Sequence, residues 1–152
     1  MRSLGFTLLE TVMVIAIVTL LLAFSLTAFR NLGDNEALGK DAALVTAILA
    51  QARSLALSSK NNDQFGVHLT SSSVTLFEGT SYVAGASTNR TDSLNSRVTI
   101  TAISLSGGGS DIIFRQLTGD TTNSGTVTLS QVGDATKTRS VTIYKTGLIE
   151  TP

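Results

Sequence analysis

Apolar positions change their spacing twice along this chain. Between residues 8 and 29 almost every position is apolar, and the nineteen residues from 11 to 29 carry no charge. At about 1.5 Å rise per residue, residues 6–29 as a helix are long enough to cross a hydrocarbon core of about 30 Å. This stretch therefore predicts a membrane-inserted helix. From residue 35 to 59 the pattern becomes a stripe: Leu38, Ala42, Val45, Leu49, Ala52 and Ala56 recur at spacings of four and three, and Leu44, Ile48 and Leu55 widen it. Glu36, Lys40, Gln51, Arg53 and Ser54 fall largely elsewhere, which predicts an amphipathic helix over residues 30–60. Asn31, Gly33 and Gly39 lower helix propensity, the glycines by up to about 1 kcal/mol each. If the helix bends or melts, Gly33 and Gly39 are the places.

Beyond residue 61 the period becomes two. Residues 65–69, 73–78, 97–103, 112–114, 126–129 and 140–144 largely alternate apolar side chains with Thr, Ser or charged ones, as half-buried strands do. The alternation lapses between residues 82 and 96, which predicts a loop, and Ser106-Gly107-Gly108-Gly109-Ser110 and residues 119–125 read as turns. One long helix followed by about six strands is an α+β arrangement, with the helix packed on an antiparallel β-sheet domain over residues 61–152.

Composition sharpens this reading at three points. A length of 152 residues suits one domain plus an anchor. Cysteine is absent, so a disulfide framework and a thiolate metal site are excluded. Lys plus Arg and Asp plus Glu number eleven each, and ten of each remain from Arg30 onward, so net charge implies no attraction to a polyanion.

The first ten residues are the most informative. A cleaved secretory signal has an apolar run of about 7–15 residues and a small-residue cleavage site beyond it; this run is longer, and Ala23-Phe24-Ser25 does not make such a site. A plain membrane anchor fits the length but leaves Glu10 unexplained, because a carboxylate at the start of an apolar span is costly and marks a functional pairing. Gly5-Phe6-Thr7-Leu8-Leu9-Glu10, behind a short leader with one basic residue, resembles the signal of type IV prepilins and pseudopilins. The resemblance implies that residues 1–5 are a leader cut after Gly5 by a prepilin peptidase, which also methylates the new amine of Phe6. It further implies that residues 6–29 stay as the transmembrane and assembly helix, and that Glu10 guides assembly. The implied place is the bacterial inner membrane, single-pass, with the sheet domain in the periplasm or exterior, and afterwards a filament or pseudopilus built with other subunits. The physics is compatible. Glycine has no Cβ to obstruct a protease, cleavage frees a cationic amine, and Glu10 lies about one helical turn away, where pairing with a neighbouring subunit's amine offsets the cost of the carboxylate. A solvated glutamate at the membrane edge is the plainer alternative.

Two further stretches narrow the likeness. Gln51-Ala52-Arg53-Ser54-Leu55-Ala56-Leu57 is similar to a segment of the GspH/FimT group of minor pilins and pseudopilins, and Ile113-Phe114 with Gly119, Gly125-Thr126-Val127-Thr128-Leu129, Arg139-Ser140-Val141-Thr142-Ile143 and Gly147-Leu148-Ile149 resemble that group's C-terminal half. The group implies a low-abundance subunit that primes and caps assembly of a type II secretion pseudopilus or a type IV pilus. A major filament subunit remains an alternative. So does a DNA-binding minor pilin: Lys137, Arg139 and Lys145 are the best basic cluster, but Asp134 and Glu150 flank it, and phosphate binding needs several cations.

No catalytic, metal or cofactor site is expected. His68 is the sole histidine, and its alternation with Val67 and Leu69 puts it on the opposite strand face, as a solvated or hydrogen-bonded residue. No serine sits in a G-x-S-x-G elbow, and Gly107-Gly108-Gly109 lacks the remainder of a phosphate loop. Asp120 and Asn123 are two oxygen donors without calcium-loop spacing. Asn89-Arg90-Thr91 satisfies a glycosylation sequon, a pattern short enough to arise by chance. Arg53 is open between a local pairing and a solvated position.

Overall fold

The computed structural model describes residues 7–151, the side chains of residues 26–32 and 34 excepted. Helix α1 (Leu8–Leu57) belongs to two compact units, Met1–Asp34 and Asn35–Pro152. Thr7 starts it: its Oγ1 accepts the Glu10 N–H at 3.2 Å, which satisfies one of the amides that a helix start leaves unpaired. Gly33 and Gly39 both lie inside α1, so no melted stretch is assigned at either.

In the second unit the expected stripe is the buried one. Leu38, Ala42, Val45, Ile48, Leu49, Ala52 and Ala56 are buried, while Leu44 and Leu55 pack at its margin. Each large apolar side chain so placed stabilises by about 1.5–3 kcal/mol. The helix ends where Ser59 turns left-handed (φ 52°), a conformation Asn61 and Asn62 share in the short 3₁₀ turn Lys60–Asn62.

Eight strands follow: β1 (Phe65–Leu69), β2 (Ser73–Glu78), β3 (Arg90–Ser93), β4 (Val98–Leu105), β5 (Asp111–Phe114), β6 (Gly125–Gln131), β7 (Asp134–Ile143) and β8 (Ile149–Glu150). They form two antiparallel four-stranded sheets, in the orders β3-β2-β1-β5 and β4-β6-β7-β8. Val67, Leu69, Val74, Leu76, Ile112 and Phe114 from the first sheet and Val98, Ile100, Val127, Leu129, Val141 and Ile143 from the second share one core with the helix stripe. The alternation identifies those core-facing residues.

The strand count and bounds differ from the sequence expectation for a common reason. β3 lies inside the expected loop of residues 82–96, β7 begins at Asp134 rather than near 140, and β8 has two residues. Arg90, Thr91 and Ser93 are exposed, as are Ala135, Thr136, Thr138 and Arg139. A strand with no buried face has no alternation to read, and only its pairing with a neighbour defines it.

Candidate assembly site

The segment Leu8–Ser25 is helical, has a mean hydropathy of 2.4 and buries none of its length inside the chain. At about 1.5 Å per residue it spans about 27 Å. Leu8, Leu9, Met13 and Phe24 are 84%, 75%, 62% and 70% exposed. Exposure of that extent in water opposes folding, so the segment demands an apolar surrounding. Its hydroxyls are already suited to one. Thr11 Oγ1 donates to the Thr7 carbonyl (3.3 Å), Thr19 Oγ1 reaches the Ile15 and Ala16 carbonyls (2.9 Å each), and Ser25 Oγ donates to Leu21 (3.0 Å). Each polar hydrogen is thus satisfied within the helix, as hydrocarbon requires.

Glu10 is the sole ionisable residue of this segment. It occupies the first turn of α1, where unpaired amides favour a carboxylate. Thr7 and Glu10 also have the spacing of a capping box, and half of that box, the amide bond to Thr7 Oγ1, is present. The expected cleavage positions, Gly5 and Phe6, lie outside the described residues.

The basic candidates divide. Lys137 and Arg139, two residues apart on β7, line one groove of about 390 Å³ with Asn35, Leu38, Thr136 and Thr138. Lys137 Nζ sits 4.0 Å from Asp134 Oδ2, which blunts the charge of the pair. Lys145 is not part of that lining, and its backbone carbonyl accepts the Thr121 N–H at 2.9 Å. Asp134 is held below the ordinary carboxylate range chiefly by its bond from the Thr136 hydroxyl (2.5 Å), then by the Thr136 amide (3.1 Å).

Two side chains do work that periodicity does not reveal. Arg53 donates from Nε to the Gly119 carbonyl and from Nη2 to the Thr146 carbonyl, each at 3.3 Å, tying the helix to two loops. Gly147 (φ 75°) completes the cluster, because a Cβ there would strike the Gly119 carbonyl and come within 2.8 Å of Arg53 Nε. Asp41, 7% exposed, accepts the Asn95 N–H at 2.8 Å and fixes the lead into β4. The signal for Arg53 was the similarity segment itself; for Asp41, a charge beside the apolar stripe was the sole hint.

Nearby, an apolar groove of about 270 Å³ runs between Thr46, Ala50, Arg53, Ser54 and Leu57 of the helix and residues 147–149. Tyr144, next to this C-terminal segment, donates to Glu150 Oε2 at 2.7 Å, and that bond pushes the phenol pKa above its usual value. His68 Nδ1 pairs with Asp111 Oδ1 at 2.6 Å and its ring stacks on Tyr82, so the sequence's open choice resolves to a hydrogen-bonded surface residue. Among the described residues, no three of His, Asp and Glu are grouped to hold a metal ion.

No family model matches the chain, and no curated protein sequence does. Two solved structures do. Both are crystal structures of the Pseudomonas aeruginosa (strain PAO1) type IV minor pilin FimU, in space groups P65 and P21. The first has a TM-score of 0.59 at 17% identity and covers 76% of this chain and 92% of that one. For the second the values are 0.58, 18%, 76% and 87%. At this identity the likeness is one of fold: a long N-terminal helix leading into antiparallel sheets, as the pattern of residues 8–150 requires. The chain has a pilin-like fold.

Proposed function

We propose that this chain is a minor pilin or pseudopilin subunit, a structural protein rather than an enzyme, which helps prime and cap assembly of a type IV pilus or a type II secretion pseudopilus. A prepilin peptidase removes residues 1–5 between Gly5 and Phe6 and methylates the Phe6 amine. Residues 6–29 then hold the chain in the inner membrane, with the sheet domain in the periplasm or exterior, until the same helix enters the filament among other pilin-type subunits.

The observation that carries this reading is the wholly unburied apolar segment Leu8–Ser25 headed by one carboxylate, in a chain whose other unit has a pilin-like fold. Its polar groups are satisfied internally except for Glu10, whose charge in an apolar surrounding calls for a cationic partner. The methylated amine of a neighbouring subunit is that partner.

The test is filament entry of Glu10→Ala and Glu10→Gln chains in cells. Both variants should lose residues 1–5 normally, reach the membrane at normal levels and fall at least tenfold in sheared filaments. Normal incorporation of either would remove Glu10 from assembly. The polyanion reading has weaker support, since Lys137 and Arg139 share a groove with Asp134 beside them and Lys145 lies apart. DNA binding that weakens steeply with salt would revive it.

A further inference from the structure

Phe77 is 1% exposed, yet the core does not account for its burial: Val74 and Leu76 of the same strand belong to the core cluster and Phe77 does not. It lies on the outer face of the first sheet, opposite Gly66 of β1. Its ring covers that glycine so closely that a Cβ at position 66 would come within 2.9 Å of the ring Cε1. What covers Phe77 in turn is the β2–β3 connection, residues 79–89. Tyr82 from this connection meets Phe77 edge-on (centroids 5.7 Å apart, planes at 63°) and stacks flat on His68 (3.9 Å, 3°). His68 is oriented by its bond to Asp111, its partner across the β1–β5 ladder.

Little else holds this connection down. Residues 80, 81, 83–85, 87 and 88 are exposed. The hydrogen bonds of Ala86 N–H to Val83, of Asn89 N–H to Ala86 and of Asn89 Nδ2 to Val83 all stay within the connection. A segment with few buried contacts and one anchoring side chain opens at far lower free energy than the strands beneath it.

We infer that residues 79–89 form a strap, fastened by the stack of Tyr82 on His68 with Asp111 behind it, that lifts while the domain stays folded and uncovers Phe77 as an apolar patch on the outer sheet face. The strap is a property of the folded domain and does not depend on the assembly reading.

Because the chain has no cysteine, the thiol of a Phe77→Cys variant reports the strap alone. In the full chain held in mild detergent, N-ethylmaleimide should label this thiol slowly. Adding His68→Ala, which leaves Tyr82 in place, should raise the rate at least tenfold, and His68→Phe, which keeps a ring to stack on, should restore slow labelling. The thiol of a Val127→Cys variant, in the second sheet, should stay unlabelled in the same His68→Ala background. Equal labelling rates for Phe77→Cys with and without His68→Ala would overturn the strap, and so would parallel acceleration for Val127→Cys. Amide exchange on the chain with Phe77 intact is the second reading: His68→Ala should speed exchange at residues 79–89 and leave β6 unchanged. Unchanged exchange at 79–89 would equally overturn it.

Discussion

Arg53 Nε donates to the carbonyl oxygen of Gly119 across 66 residues of chain, and the same guanidinium reaches Thr146 from its other arm. Neither loop has another charged side chain of α1 bonded to it among the described contacts. Hydrogen bonds to a charged group contribute about 1.5–3 kcal/mol each, and these two are long and half-exposed, so the low end applies. Arg53→Met, which keeps the aliphatic stem, should destabilise the chain by about 1–3 kcal/mol in urea unfolding. It should also raise amide exchange in residues 115–121 and 144–148.

Gly147 makes the same cluster sensitive to a single methyl group. With φ at 75° and the Gly119 carbonyl in the path of a Cβ, Gly147→Ala is both strained and crowded. Its cost should be at least about 1–3 kcal/mol, and the thermal unfolding midpoint reads it. The variant combined with Arg53→Met should lose less than the sum, because the two share partners.

Asp41 offers a cleaner contrast. Asp41→Ala removes the acceptor of the Asn95 amide and should cost about 1–3 kcal/mol, whereas Asp41→Asn keeps an oxygen in place and should retain most of the stability. Equal losses in the two variants, measured by urea unfolding, would show that the bond to Asn95 is not what Asp41 supplies.

Titration supplies two signs. The Asp134 carboxyl is depressed in the folded chain by its bonds from Thr136, so its contribution is present above the carboxylate range of the unfolded chain and is lost as pH falls through the folded value. Thr136→Val removes the stronger bond and should move the Asp134 carboxyl NMR titration to higher pH. Tyr144 runs the other way. Its phenol is raised by the bond to Glu150, so that contribution is present below the unfolded phenol value and is lost as pH rises through the folded one. In a Tyr82→Phe background Tyr144 is the sole tyrosine, and Glu150→Gln should shift its absorbance titration to lower pH.

What the sequence exposed was whatever periodicity encodes. The stripe of Leu38, Val45, Leu49, Ala52 and Ala56 and the alternation of Val67 with Leu69 and of Val127 with Leu129 identified core faces, because burial imposes those spacings. Arg90 to Ser93 and the first half of β7 were hidden, because a polar edge strand is defined by its partner and not by its own pattern. The division into two sheets was hidden too, since β5 crosses to lie beside β1 and nothing local to residues 111–114 specifies that neighbour. Of the candidate site, Glu10 stood out because a lone carboxylate breaks an apolar run. The bonds of Asp41 and the Tyr82–His68 stack join residues 54 and 14 positions apart and leave no spacing to detect.

The central claim is that the apolar helix behind Phe6 is kept in the finished protein after a cut at Gly5. Intact-mass and N-terminal peptide mass spectrometry of the chain extracted from membranes tests it directly. The predicted result is a single species that begins at N-methylated Phe6 and retains residues 6–29. A chain that still begins at Met1, or one that begins beyond residue 29, would contradict it.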